Sequence, residues 1–254
     1  MSVRLRPSAP RGGSSVVERF LAKEEVAGSN PVRRSTKMLL INFKTYPQTI
    51  GPNALEMTRK LFETAQGFPQ IKVGFAPPAL ELAEVAKHSG APIWAQHIDP
   101  AQEGPSTGYL SPADAQAAGA VGTFLNHSEH PLDQETIQKT LSLAKDHGLK
   151  VLIFARDPQR VAEFQELSPD FIAYEPPELI GGAVSVTSAK PEVIGAAVTA
   201  AGDIPLLIGA GIHEKADIEK ALSLGAIGAV VSSAVVISKD PQRVYTDLLE
   251  GFKR

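Results

Sequence analysis

Eight short apolar runs recur between residues 39 and 231, and a segment of helix-like spacing follows each one. The runs occupy residues 39–43, 71–75, 92–95, 122–125, 149–154, 171–174, 205–208 and 227–231. The helix-like segments occupy residues 53–66, 78–89, 111–118, 133–147, 157–167, 190–201, 213–224 and 240–253. The runs are continuous in their apolar character, not alternating. Strands buried on both faces of a parallel sheet read this way. Parallel neighbours need a crossover connection, and each gap holds one helix. Ser111-Pro112 and Asp157-Pro158 mark helix starts, each pairing a capping side chain with a proline in the first turn. Eight such units predict an α/β fold, a single closed (β/α)₈ barrel with short loops over residues 38–254. An open, doubly wound sheet is the alternative, and eight even repeats count against it.

Residues 1–37 do not share this pattern. They hold eight of the 25 basic residues and three of the 28 acidic ones, which leaves 17 basic and 25 acidic residues in the remainder. They show no apolar period. Arg and Ser content suits a targeting peptide, but Glu18, Glu24 and Glu25 and the lack of an apolar core oppose it. Gly28-Ser29-Asn30-Pro31 is what GGT-TCG-AAT-CC encodes, a string that resembles the T-arm of a tRNA gene. The segment is therefore expected to be an unstructured N-terminal extension read from such a gene, with Met38 as the true start.

Composition narrows the function classes. The chain has no cysteine, so disulfides, thiolate metal sites and cysteine nucleophiles are excluded. No apolar run reaches the ~20 residues of a membrane-spanning helix, so no membrane partner is expected. A net charge of −3 argues against a general nucleic-acid binder.

In a barrel of this kind chemistry sits where strands end and βα loops begin. The first such end reads Asn42-Phe43-Lys44, and strand alternation turns Asn42 and Lys44 the same way. A lysine at the mouth calls for an anion. The fourth end reads Asn126-His127-Ser128-Glu129-His130. The sixth ends at Glu175, and Pro176 and Pro177 lock the next two residues before Gly181 and Gly182. Read alone, that stretch also fits a solvated glutamate at a strand end. The seventh and eighth ends are the small-residue turns Gly209-Ala210-Gly211 and Ser232-Ser233-Ala234, whose backbone amides can cradle a phosphate. The remaining histidines, His88, His97, His130, His147 and His213, are scattered and read as surface or structural residues, with no metal-ligand cluster. A carboxylate base beside a neutral hydrogen-bond donor suits proton abstraction next to a carbonyl.

The motifs "NFK" at 42–44, "NHSEH" at 126–130, "AYEPPELIG" at 173–181 and "GAGI" at 209–212, with the eighth loop, resemble the triosephosphate isomerases, in particular their short archaeal type. The resemblance runs in order over residues 38–254 and implies a TIM barrel. It implies Lys44, His127 and Glu175 as catalytic residues and Asn42, Lys44, Ile180, Gly211, Ser232 and Ser233 around the substrate. It also implies Glu129 as the acidic partner of Lys44, and a lid over residues 176–181 that ends at Gly181. The implied activity interconverts dihydroxyacetone phosphate and D-glyceraldehyde 3-phosphate through an enediolate, in cytoplasmic glycolysis and gluconeogenesis. No metal or organic cofactor is implied, and the implied partner is a second copy, as a homotetramer or homodimer. Two departures stand out: Gly181-Gly182-Ala183 replaces the usual Gly-Thr-Gly, and Ala234 replaces a usual glycine. They bear on efficiency more than on identity. A sugar-phosphate epimerase or aldolase, and a non-catalytic phosphate-binding barrel, are the alternatives. Metal ligands or a Schiff-base lysine deep in the barrel would favour the enzyme alternatives, and Lys44 is the candidate lysine.

Overall fold

The computed structural model describes residues 36–176, Leu179 and residues 191–253. Residues 1–35 of the expected extension lie outside the described residues, as do Ile180, Gly181 and most of the expected lid.

Eight parallel strands close into one barrel in sequence order. They are β1 (Lys37–Asn42), β2 (Ile71–Ala76), β3 (Ile93–Ala95), β4 (Ala120–Leu125), β5 (Lys150–Ala155), β6 (Phe171–Tyr174), β7 (Leu206–Ile208) and β8 (Gly228–Val231). The open doubly wound alternative is excluded, because β1 pairs with both β2 and β8. At that seam Met38 N–H donates to Ile227 O at 3.0 Å. The strands there approach so closely that a Cβ on Gly228 would lie 1.7 Å from Met38 O, so no other residue fits.

The helices are α1 (Pro52–Ala65), α2 (Leu82–Ser89), α3 (Pro112–Ala117), α4 (Gln134–Asp146), α5 (Pro158–Glu166), α6 (Pro191–Ala200), α7 (Lys215–Ser223), α8 (Ser233–Val236) and α9 (Pro241–Glu250). Their starts follow the capping chemistry of the sequence. Ser111 Oγ accepts from Asp114 N–H at 3.1 Å, and Asp157 Oδ1 accepts from Arg160 N–H at 2.7 Å. Asp133 caps α4, and the Thr136 backbone N–H holds its carboxyl below the ordinary range.

Two expectations are corrected. The segment 78–89 is not one helix: Ala79–Glu81 is a 3₁₀ turn before α2. Pro78 is extended there, at ψ 150°, and Glu81 reaches back to accept Gly51 N–H at 2.8 Å. The helix α8 follows β8 at once and was not expected as a separate element.

Alternation along β1 divides the core. Leu39 and Ile41 pack outward among the helices, while Met38 and Leu40 face the barrel interior. Trp94 fills that interior, packed against Phe124 at 5.8 Å and Phe171 at 6.1 Å between ring centroids. Gly74 and Gly122 make its space: a Cβ on either would come within 2.8 Å of the indole. The filled interior gives the strand ends a rigid platform. Below it, where β5 begins, Lys150 Nζ meets Asp170 Oδ1 at 3.1 Å and Asp170 Oδ2 accepts Val151 N–H at 2.9 Å.

Candidate active site

At the opposite, C-terminal end of the strands a cavity of about 240 Å³ opens. Asn42, Lys44, His127, Glu129 and Glu175 line it on one side, and Gly211, Ser232 and Ser233 on the other. Every described residue predicted for the site therefore faces one space.

Lys44 reaches it by an unexpected route. β1 ends at Asn42, so strand alternation does not aim the lysine. Phe43 is buried, and Lys44 turns at φ 47°, a left-handed conformation that costs a non-glycine residue roughly 1–2 kcal/mol. Asn42 Oδ1 accepts Lys44 N–H at 3.0 Å, and Gln96 Nε2 donates to Lys44 O at 3.0 Å, which fixes this turn. The ammonium meets Glu129 Oε1 at 2.8 Å. Backbone strain held this firmly is characteristic of functional positions.

His127 follows β4 on a turn that Asn126 shapes. Asn126 sits at φ 59°, which asparagine tolerates better than most residues. Its side chain donates to Phe154 O and accepts from Leu132 N–H, both at 2.9 Å. The His127 ring packs edge-on against Phe154 at 4.8 Å. Glu129 N–H donates to His127 Nδ1 at 3.1 Å. A backbone amide can only donate, so Nδ1 carries a lone pair and the ring proton sits on Nε2. Nε2 lies 3.3 Å from Glu175 Oε1.

Glu175 is buried, at 5% relative exposure, so the solvated-glutamate reading of this strand end fails. Its backbone N–H donates to Ala155 O at 2.8 Å, continuing the β5–β6 ladder one residue past β6. Oε2 accepts Ser128 N–H at 3.2 Å. One oxygen thus faces an imidazole N–H and the other an amide, which hold a carboxylate in place without neutralising it.

The far wall differs. Gly211 takes φ 72°, a left-handed turn that favours glycine, and Ser232 precedes α8. The Ser232 hydroxyl is buried and has no hydrogen-bond partner among the described residues. Ala234, one of the departures noted above, lines the same wall. A wall of small residues with a free hydroxyl suits the oxygens of an anion. No group of three or more His, Asp or Glu placed to hold a metal ion occurs among the described residues.

The model of the family described as triosephosphate isomerase matches residues 37–250. The chain belongs to the triosephosphate isomerase family. A curated triosephosphate isomerase of Saccharolobus solfataricus is 38% identical over 220 residues, covering 85% of this chain and 96% of that protein. Those of Methanothermus fervidus and Methanosarcina acetivorans are 35% and 36% identical, over 84% and 83% of this chain and 97% and 96% of theirs. A crystal structure of triosephosphate isomerase from Bartonella henselae superposes with a TM-score of 0.68 at 16% identity, over 86% of this chain and 99% of that one. At that identity it speaks for the fold alone. The archaeal relatives agree with the short triosephosphate isomerase type read from the sequence.

Ser128, Gln96, Phe154 and Asn126 are site residues that the sequence did not single out. Ser128 and Gln96 act through a backbone amide and through a hydrogen bond to a neighbouring loop, which leave no motif. Asn126 carried a signal, since an asparagine at a strand end is a natural left-handed residue.

Proposed function

We propose that the protein interconverts dihydroxyacetone phosphate and D-glyceraldehyde 3-phosphate. The observation that carries this reading is the convergence of Lys44, His127 and Glu175 on one cavity whose far wall is the small-residue cradle. In the reading, Gly211, Ser232 and Ser233 hold the phosphate, with Lys44 offering its charge. Glu175 takes a proton from C1 of dihydroxyacetone phosphate as His127 Nε2–H polarises the C2 carbonyl. The result is an enediolate, whose charge Lys44 and His127 offset. His127 moves a proton between the two oxygens, and Glu175 returns the carbon-bound proton at C2. Each group ends as it began. Glu129 holds the lysine in waiting until the substrate anion competes for it, and Asn42 fixes the lysine's turn. Ile180 and Gly181 belong to the lid in this reading, which excludes water during the reaction.

Lys44 argues against the aldolase-type alternative. It stands at the mouth in an ion pair with a half-exposed carboxylate, not deep in the barrel as a Schiff-base lysine would. Cytoplasmic glycolysis and gluconeogenesis are the setting the family implies, and no helix among the described residues is long and apolar enough to cross a membrane. Assembly as a homotetramer or homodimer is part of the proposal. In its support, Ile50, Leu80 and Tyr109 remain exposed on three successive loops at the mouth. Sedimentation of the purified protein tests assembly, and a monomer at micromolar concentration refutes it. Coupled assays in both directions test the activity. Turnover of both triose phosphates, with solvent deuterium entering the substrate carbon, is expected. Absence of both signals refutes it.

A further inference from the structure

We propose that His97 and His130 are a positioning pair: their stacked rings brace the turn that carries His127 and Glu129, and acid releases the brace. The kinetic consequence rests on the isomerase reading above; the geometry does not.

The two rings lie 4.0 Å apart between centroids and 18° from parallel. His97 comes from the loop after β3 and His130 from the turn after β4. Three amides of that turn hold the site together, two directly and one by closing the turn. Ser128 N–H holds Glu175 at 3.2 Å, Glu129 N–H sets the His127 tautomer at 3.1 Å, and His130 N–H closes the turn on His127 O at 2.8 Å. A rotation of the turn therefore moves the base and the imidazole together. Asn126 fixes the turn from the inside, as described. From the outside the His97 ring holds it.

His97 is itself well fixed. Its Nε2 lies 3.3 Å from Asp99 Oδ1, and Asp99 closes the loop by accepting Leu110 N–H at 2.8 Å and donating its own N–H to Leu110 O at 2.8 Å. The preceding residue, Gln96, holds Lys44 O at 3.0 Å and Ala76 O at 2.9 Å. Two adjacent residues beyond β3 thus brace the lysine and the histidine turn from one anchor.

Two neutral imidazoles stack readily, and two imidazolium rings at this separation repel. Burial, and then the charge of His130, hold His97 below the ordinary histidine range, against the upward pull of Asp99. The charged groups acting on His97 are therefore His130 across the stack and Asp99 on its own loop; Glu129 is turned to Lys44. With a depressed folded-state pKa, the contribution of the stack is complete above the ordinary histidine value near ~6.5. It is lost as pH falls through the lowered value.

The test uses the full chain with kinetics from about pH 5 to 8. His130 is exposed, so its substitution leaves the core alone. His130→Phe retains a stacked ring that cannot be protonated; it should keep kcat at neutral pH and lose part of the acid-side decline. His130→Ala should lower kcat about tenfold across the range with KM within about twofold, as expected of mispositioned groups. His97→Asn removes the opposite ring and should reproduce His130→Ala. Superimposable pH profiles for wild type and His130→Phe, or wild-type kcat in His130→Ala, overturn the proposal. Nitrogen-15 NMR of the substrate-free protein gives a readout independent of turnover. The Glu129 amide and the His127 ring should shift as His97 titrates in wild type and not in His130→Phe; no shift in wild type overturns the brace. If wild type does not isomerise triose phosphates, the functional reading fails while this spectrum still decides the brace.

Discussion

Lys44 at the mouth of the barrel and Lys150 at its base make the same kind of contact, and their surroundings give it opposite meanings. Their ammonium groups lie 2.8 Å and 3.1 Å from a carboxylate, and their side chains are 21% and 22% exposed. The difference is in the partner. Asp170 at the base is 20% exposed and also accepts Val151 N–H, so its two oxygens clasp the start of β5. Glu129 at the mouth is 59% exposed and faces a cavity. The base pair finishes a junction between strands, with each atom committed to the fold. The mouth pair keeps a charge available, with a weak partner of the sort worth ~0–1 kcal/mol. The mouth lysine also sits on a left-handed turn, whereas Lys150 opens a regular strand. At Lys44 a left-handed turn and a replaceable partner occur together, whereas Lys150 pairs a regular strand start with a partner already committed to the fold.

The contrast can be broken at either end. Lys44→Met should have the largest effect, about 10³-fold on turnover or more, since it removes a charge aimed at developing negative charge. The melting temperature should barely move, and competition by inorganic phosphate should weaken. A large fall in thermal stability with activity kept in the folded fraction would place Lys44 with Lys150, as a structural group. Glu175→Asp should come next. It withdraws the carboxylate by about one methylene and should cost ~10²-fold in turnover with phosphate affinity unchanged. Stopped-flow measurement of the chemical step checks this, and near-normal turnover removes Glu175 as the base.

At the base, Asp170→Ala should do the reverse. It leaves Val151 N–H and Lys150 without the carboxylate and should lower stability by about 1–3 kcal/mol in denaturant titration. Activity per folded molecule should stay within about twofold, because no site residue depends on that junction. The smallest effect concerns the start of the chain. A polypeptide beginning at Met38 should isomerise as well as the full chain and lie within about 0.5 kcal/mol of its stability. That change also removes Lys37, whose Nζ donates to Phe252 O, so a larger loss would point to that contact. Mass spectrometry of the native protein settles the start itself, and peptides covering residues 20–33 would refute a start at Met38.

The strands were legible because a strand buried on both faces needs only an apolar run, and β6 was read to the residue. Helix starts were legible wherever a capping side chain and a proline coincide, as at Ser111 and Asp157. The turn at Lys44 was not, since nothing in Asn-Phe-Lys announces a left-handed residue; the lysine arrives at the expected place by a different path. The base clasp was not legible either. Asp170 precedes β6 and Lys150 opens β5, and only the register of the barrel makes them neighbours. The same holds for His97 and His130, which read singly as unremarkable histidines. Residues that act through their own chemistry leave motifs, while those that act by being next to another loop do not.

The seam at Met38 and Gly228 has a consequence for how the molecule is made. β1 is among the first parts of the barrel to be synthesised, and its second partner is the last strand. Until β8 emerges, one margin of β1 has no strand to pair with. At the ~5–20 residues per second of translation, that interval is on the order of tens of seconds. Contacts so distant along the chain also form slowly. A polypeptide that ends early, short of β8, would carry an open apolar margin for its whole life. Loss of a few C-terminal residues and loss of the last strand are therefore different events for the cell: the first removes the buried Phe252 and the carbonyl that Lys37 Nζ reaches, and the second leaves a sheet able to recruit its neighbours.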